Sequence, residues 1–232
     1  VRTMTRRGNS VRPSRNARTT REPDLGYYVI VTDAEATEQL YFEAIRNSLQ
    51  DDLQDRLVIK VYQSATNDLI RRCLDESSKI PQYSVPCIVF DRDQVQNFDE
   101  IIDKADNKNI KVGWSNPCIE VWFEAYFGNM TYYGSSQDCC RGFARKFSDK
   151  TGNVYKKSNP ANYGLLCQHG DEDKAISCAE NKMEEYRRQC KKPSECISSS
   201  TVYELVREIK YREQNSICLL YTSPSPRDKR QS

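Results

Sequence analysis

The chain has 232 residues, a formal net charge of +2, 38% hydrophobic residues and 29% charged residues. Such a length allows one domain, or one domain with an appended module, and the composition excludes disorder along the whole chain. No run of about 18 apolar residues occurs, which excludes a membrane-spanning helix. The arginines after Val1 lead into no apolar stretch of the kind a secretory signal needs, so a cytoplasmic location is expected.

Charge is unevenly placed. Residues 1–21 carry seven arginines and no acid, among them Arg12, Arg15 and Arg18, and residues 218–232 carry a net +2. The total of +2 leaves an acidic body of −7 between them. Residues 1–24 lack apolar periodicity and read as a disordered basic arm suited to nucleic-acid phosphates or to solubility.

Tyr27–Thr32 is a near-continuous β-branched and aromatic run, the pattern of a strand covered on both faces. Leu40, Tyr41, Ala44, Ile45, Ser48 and Leu49 then form a helical stripe. Leu57–Tyr62 reads as a second strand, Leu69 to Leu74 as a second helix, and Pro86–Asp91 as a third strand. Phe98 to Ala105 reads as a third helix and Ile110–Trp114 as a fourth strand. Strands alternating with amphipathic helices imply a parallel sheet with right-handed crossovers, hence an α/β core over residues 25–134. Asn116-Pro117 predicts a cap and first helical position, opening a helix through Trp122, with Ser115 read chiefly as part of that cap. Residues 135–217 read as a helical C-terminal portion. Trp114 and Trp122 sit in apolar patterns and are expected in the core.

The ten cysteines form no paired C-x-x-C set, and His169 is the single histidine. A zinc site from Cys167, His169, Cys178 and Cys190 is one reading; reduced, mostly buried thiols are the other.

Acids gather where strands end. Asp33 follows the first strand, with Glu35 and Glu38 behind it; Asp91 ends the third, with Asp93 two residues on. Continued extension points Asp91 and Asp93 the same way. In an open α/β sheet ligands bind at the carboxyl ends of the strands, around the switch point. Converging carboxylates there suit Mg²⁺ or Mn²⁺, which activates water against a phosphodiester. Solvated strand-end acids are the alternative. Glu120 is either a further member of the site or a surface acid, and Glu38 either a ligand or a first-turn acid. Tyr155-Lys156-Lys157 is either a stacking and phosphate contact or a solvated turn.

The blocks VTDAEATEQLYFEAI (31–45), VFDRD (89–93), SNPCIEVWFEAYF (115–127), YKK (155–157), AIS (175–177) and STVYELV (200–206) together resemble the RloB family over about residues 27–210. The resemblance implies a Toprim-like fold related to OLD-type nucleases, divalent metal at Asp33, Asp91 and Asp93, and phage defence beside an AAA or ABC-type ATPase. Two positions depart from the family pattern: Ala34 stands where Gly is usual, restricting the turn, and Tyr126 stands where a His is frequent, removing an acid–base group. Two other function classes remain open: a receiver-like signalling domain with a phosphorylatable strand-three Asp, and an inactive partner-binding module.

Finally, Cys218–Asp228 reads CLLYTSPSPRD, which resembles the in-frame translation of a transposase sequencing adapter. Residues 218–232 are therefore expected to be foreign to the fold, and the natural C-terminus to be lost.

Overall fold

The computed structural model describes residues 23–33, 36–93 and 95–222, with side chains to residue 215. The arm residues Arg12, Arg15 and Arg18, together with Ala34, Glu35 and residues 223–232, lie outside the described residues. In chain order the elements are β1 (Gly26–Thr32), α1 (Thr37–Ser48), β2 (Leu57–Gln63), α2 (Leu69–Ser77), β3 (Ser84–Asp91), α3 (Phe98–Asp106) and β4 (Lys111–Asn116). They continue with α4 (Glu120–Ala125), α5 (Ser136–Thr151), α6 (Asn162–His169), α7 (Glu172–Arg188), β5 (Ser199–Ser200) and α8 (Val202–Thr222). Helix α8 thus runs five residues into the adapter-like segment.

The fold is α/β: a five-stranded, mostly parallel sheet in the order β2-β1-β3-β4-β5, flanked by helices. The chain leaves β1 to one side for β2 and crosses back to β3 on the other, so β1 and β3 are the neighbours at the switch point. Their apolar runs are buried from Tyr28 to Val31 and from Cys87 to Phe90, as continuous β-branched stretches require. The helical stripes dock Tyr41, Phe42 and Ile45 of α1, Leu69 and Cys73 of α2, and Phe98, Ile101 and Ile102 of α3 into that core. Trp114 and Trp122 are both buried in it.

The C-terminal helices are closed by side chains suited to the task. Ser135 caps α5 by accepting from the Asp138 N–H, Gly152 ends it in the left-handed region, and Asp171 caps α7 by accepting from the Lys174 N–H.

Two expectations around β4 are corrected. Asn116 does not cap a helix: it is the last residue of β4, paired with Ser199 of the antiparallel β5, and its amide donates to the carbonyls of Pro193 and Ser194. Ser115 likewise bonds Ser200, Oγ to Oγ at 3.1 Å. The polar atoms that would have capped a helix are satisfied across the sheet instead, and α4 begins only at Glu120. Strand β5 brings the C-terminal half into the sheet, and α8 fastens it: Glu208 accepts from the Tyr28 hydroxyl and pairs with Lys111, while Arg212 donates to the Leu25 carbonyl.

Candidate metal centre

At the carboxyl ends of β1 and β3 the backbone sets two acids side by side. The Asp33 N–H donates to the Val89 carbonyl, extending the β1–β3 ladder by one rung, and Asp33 Oδ2 accepts from Thr66 Oγ1 at 3.4 Å. Asp91, the last residue of β3, accepts at Oδ2 from the Ile119 N–H at 3.1 Å, which ties the start of α4 to the strand end. Two further acids enter from helices. Glu38 in the first turn of α1 is 2% exposed, and Glu120 at the start of α4 is 0% exposed.

Three oxygens of this cluster are buried with no hydrogen-bond partner: Glu38 Oε2, Asp91 Oδ1 and Glu120 Oε2. Unpaired buried carboxylate oxygens are costly unless a proton or a cation satisfies them. Electrostatics give the same picture. Burial, then Glu38, Glu120 and Asp33 in turn, hold the Asp91 pKa well above the ordinary carboxylate range. Burial and the neighbouring Asp33 push Glu38 up to about 7, and burial pushes Asp33 up to about 6. Without a cation the cluster therefore holds protons near neutral pH. The donor set is all carboxylate oxygen, which fits a hard divalent ion such as Mg²⁺ or Mn²⁺.

Glu120 is neutralised from one side only. Its Oε1 accepts from the Tyr155 hydroxyl at 3.0 Å and pairs with Lys157 Nζ at 3.1 Å, which leaves Oε2 turned to other ligands. Burial opposes the charge on Lys157, but Glu120 and Cys140 beside it together outweigh that and raise the lysine's pKa. Lys157 and Tyr155 thus serve a buried acid, while Lys156 is exposed. Glu120 as a surface acid is overturned by its complete burial, and Tyr155 and Lys157 form more than a solvated turn.

Asp93 bonds elsewhere, although its charge adds to the rise at Asp33. Strand β3 stops at Asp91, so the extension that would aim both acids the same way ends. The Asp93 N–H donates to the Pro117 carbonyl, and its exposed side chain accepts from Ser136 Oγ at 2.6 Å. With Arg92, Asn116 and Ser136 it lines a groove of about 340 Å³ beside the cluster. A larger cavity, about 840 Å³ between β4, α7 and α8, is lined by none of Asp33, Glu38, Asp91, Asp93 and Glu120.

Among the described residues, the one set of three metal-type side chains with ligand atoms within 4.8 Å of one another is Cys118, Glu120 and Cys140. No three of the carboxylates come that close together, although Glu38 and Asp91 are near enough to share a proton. Cys167, His169, Cys178 and Cys190 do not assemble, because Cys167 and His169 sit on α6, Cys178 on α7 and Cys190 in the turn beyond it. The zinc reading of that set is corrected. Buried thiols are found at Cys73, Cys87, Cys118, Cys139 and Cys196.

Tyr126 belongs to a different network. Its hydroxyl donates to Glu172 Oε1 at 2.8 Å and lies 2.8 Å from the Tyr41 hydroxyl, which accepts from Trp122 Nε1 at 2.9 Å. The backbone of the α6–α7 turn presses on this residue: the Asp171 N–H donates to the Tyr126 carbonyl, and a Cβ on Gly170 would stand 2.7 Å from that oxygen. A tyrosine here is built into the core.

The acid that sequence reasoning weighed as an ordinary first-turn residue, Glu38, carried a usable signal. It lies three, four and seven residues before Tyr41, Phe42 and Ile45, on the core-facing stripe of α1. An acid on that stripe is buried by the same periodicity that buries the aromatics.

Comparison with known proteins places one family on this chain: the model described as RloB-like protein matches residues 28–209. No curated protein and no solved structure matches it.

Proposed function

The chain belongs to the RloB-like family, and from that premise and its buried carboxylates we propose that it is a Toprim-type, Mg²⁺- or Mn²⁺-dependent nuclease acting in phage defence with an AAA or ABC-type ATPase partner. The observation that carries the reading is the trio of unpartnered buried oxygens on Glu38, Asp91 and Glu120 at the β1/β3 switch point. The phage-defence role and the ATPase partner rest on the family resemblance.

In this reading Asp91, Glu38 and Glu120 hold the cation and Asp33 completes the acidic wall. A bound Mg²⁺ or Mn²⁺ supplies Lewis acidity toward a phosphoryl oxygen and lowers the pKa of its water. Asp33 sits beside them at the end of β1, where its carboxylate can orient the attacking water. Lys157 offsets the charge on Glu120, Lys156 is free to meet phosphate, and Asp93 with Arg92 borders the groove along which a strand would lie. The acidic body disfavours polyanions until a partner or the basic arm compensates, which suits a restrained enzyme. Arg12, Arg15 and Arg18 then neutralise phosphates. Deleting residues 1–22 should take roughly 0.7–0.9 off the log–log salt slope for each phosphate that the arm neutralises.

The test is cleavage of DNA and of RNA by the purified chain, alone and with the ATPase encoded beside it, in Mg²⁺ and in Mn²⁺. Metal-dependent cleavage that disappears in Asp91→Asn supports the reading. Metal uptake without cleavage in any combination would leave a partner-binding module, and an aspartyl phosphate formed from acetyl phosphate would make it a receiver.

A further inference from the structure

Beside the carboxylate cluster, and sharing Glu120 with it, lie two cysteines that the hydrolytic reading does not use. Cys118 follows β4 and is 3% exposed, Glu120 begins α4, and Cys140 reaches in from α5. Their ligand atoms all fall within 4.8 Å of one another, and the two sulfurs are 3.9 Å apart. Two thiolates on one tetrahedral zinc, each about 2.3 Å from the metal, stand about 3.8 Å apart. A disulfide would need the sulfurs to close to about 2.05 Å. The two thiols hydrogen-bond to each other at this distance, and the same spacing fits two ligands of one metal. Glu120 adds a buried carboxylate to the sulfurs: Tyr155 and Lys157 hold it through Oε1, and Oε2 is buried and unpartnered.

We propose that Cys118, Cys140 and Glu120 form a binding site for a thiophilic divalent cation of the Zn²⁺ class, with its fourth position open to water or substrate. The charges balance. Two thiolates and a carboxylate carry −3, the cation +2, and the ammonium of Lys157 beside Glu120 supplies the remaining +1, so the occupied site is neutral overall. A carboxylate oxygen has two lone pairs, so Glu120 ligates here without leaving the carboxylate cluster. The soft sulfurs separate this site from the all-oxygen one, since Mg²⁺ has little affinity for thiolate.

The experiment uses Co²⁺ as a spectroscopic stand-in for Zn²⁺, with the full chain kept reduced by a non-thiol reductant, and it needs no cleavage activity. One equivalent of Co²⁺ should produce a near-ultraviolet thiolate charge-transfer band. Zn²⁺ should abolish the band and excess Mg²⁺ should not. The band should vanish in Cys118→Ser and in Cys140→Ser, and persist in the Cys167→Ser/Cys190→Ser double variant, which removes the exposed thiols of the described residues. Glu120→Gln should weaken Co²⁺ binding by about tenfold or more. In the unsubstituted chain, equimolar Zn²⁺ should slow alkylation of Cys140 and leave that of Cys190 unchanged, a readout independent of whether the serine variants fold. Absence of the band, its persistence in both single cysteine variants, or equal Cys140 alkylation with and without Zn²⁺ overturns the proposal.

Discussion

Helix α4 carries two kinds of buried acid, one turn apart. Glu124, near its end, is 2% exposed and fully employed: it accepts from the Thr131 N–H and hydroxyl, the Tyr133 hydroxyl and Lys146 Nζ. Just beyond it, Tyr126, Tyr41, Trp122 and Glu172 close a chain in which each hydroxyl and the indole N–H has a partner. Glu120, at the start, keeps one oxygen unanswered, as do Glu38 and Asp91 beside it. Both regions are buried and rich in polar groups, so burial alone separates nothing. The difference lies in satisfaction: the Glu124 end commits its polar atoms to stability, whereas the Glu120 end keeps them in reserve for something the polypeptide does not itself provide.

The sharpest way to break this contrast is Asp91→Asn. It should lower metal-dependent cleavage by well over the ~10–100-fold that changes behind a metal's direct ligands cost. The same variant should melt no lower than the parent, and higher in chelator, because a neutral amide relieves repulsion among buried acids. A cleavage assay paired with a thermal melt reads both, and a fall in both together would make Asp91 structural.

Next in size is the pair Glu124→Ala and Glu120→Gln. Removing Glu124 leaves Lys146 only its bond to Asn129 and strands three further donors, which should cost about 3 kcal/mol and lower the melting midpoint by roughly 2–4 °C per kcal/mol at this chain length. Glu120→Gln should cost less than about 1 kcal/mol and instead weaken metal uptake, because it removes charge and little packing. Equal destabilisation by the two would erase the distinction between the ends of α4.

The pH dependence follows from the raised acids. Asp33, at about 6, and Glu38, at about 7, sit above their unfolded values, so the folded chain binds more protons than the unfolded one. Their contribution is therefore fully present below about pH 4 and is lost as pH rises through 6 to 7, on the order of 2 kcal/mol once coupling is discounted. Chemical denaturation in chelator at pH 5 and pH 8 should show this loss, and Mn²⁺ should restore more stability at pH 8 than at pH 5. A metal-free chain more stable at pH 8 would reverse the sign and sink the cluster's electrostatics.

The smallest expected effect is that of Tyr126→Phe, which unties Glu172 and Tyr41 and should cost about 1–2 kcal/mol with cleavage at the parent rate. A fall in rate at unchanged stability would move Tyr126 into the reaction.

Much of this was legible in the residues, for identifiable reasons. Strands β1 to β4 announce themselves because both faces are covered and the runs are β-branched, and the order of strand and helix then sets Asp33 beside Asp91. Strand β5 was invisible: it is two serines with no β preference, recruited by pairing with Ser115 and Asn116 rather than by its own pattern. The direction of Asp93 was less legible, because period-two reasoning holds only while the strand lasts, and β3 ends at Asp91. The burial of Glu120 was hidden because what buries it, Tyr155 and Lys157, lies 35 and 37 residues further on, a separation no local pattern encodes.

The lateness of β5 has a consequence for how the molecule comes into being. Ser115 waits 85 residues for Ser200, and β1 waits until Glu208 and Arg212 exist to be fastened to α8. Pairings so distant in sequence form late, after the entropy of closing the long loop has been met. On the ribosome, the acids of the cluster emerge well before the segments that lock the sheet around them. A nascent chain therefore carries the ligands but not the rigid frame, and assembly of the centre is timed to the near-completion of synthesis. For the nuclease proposed above, the order of the residues along the chain would itself be a safeguard.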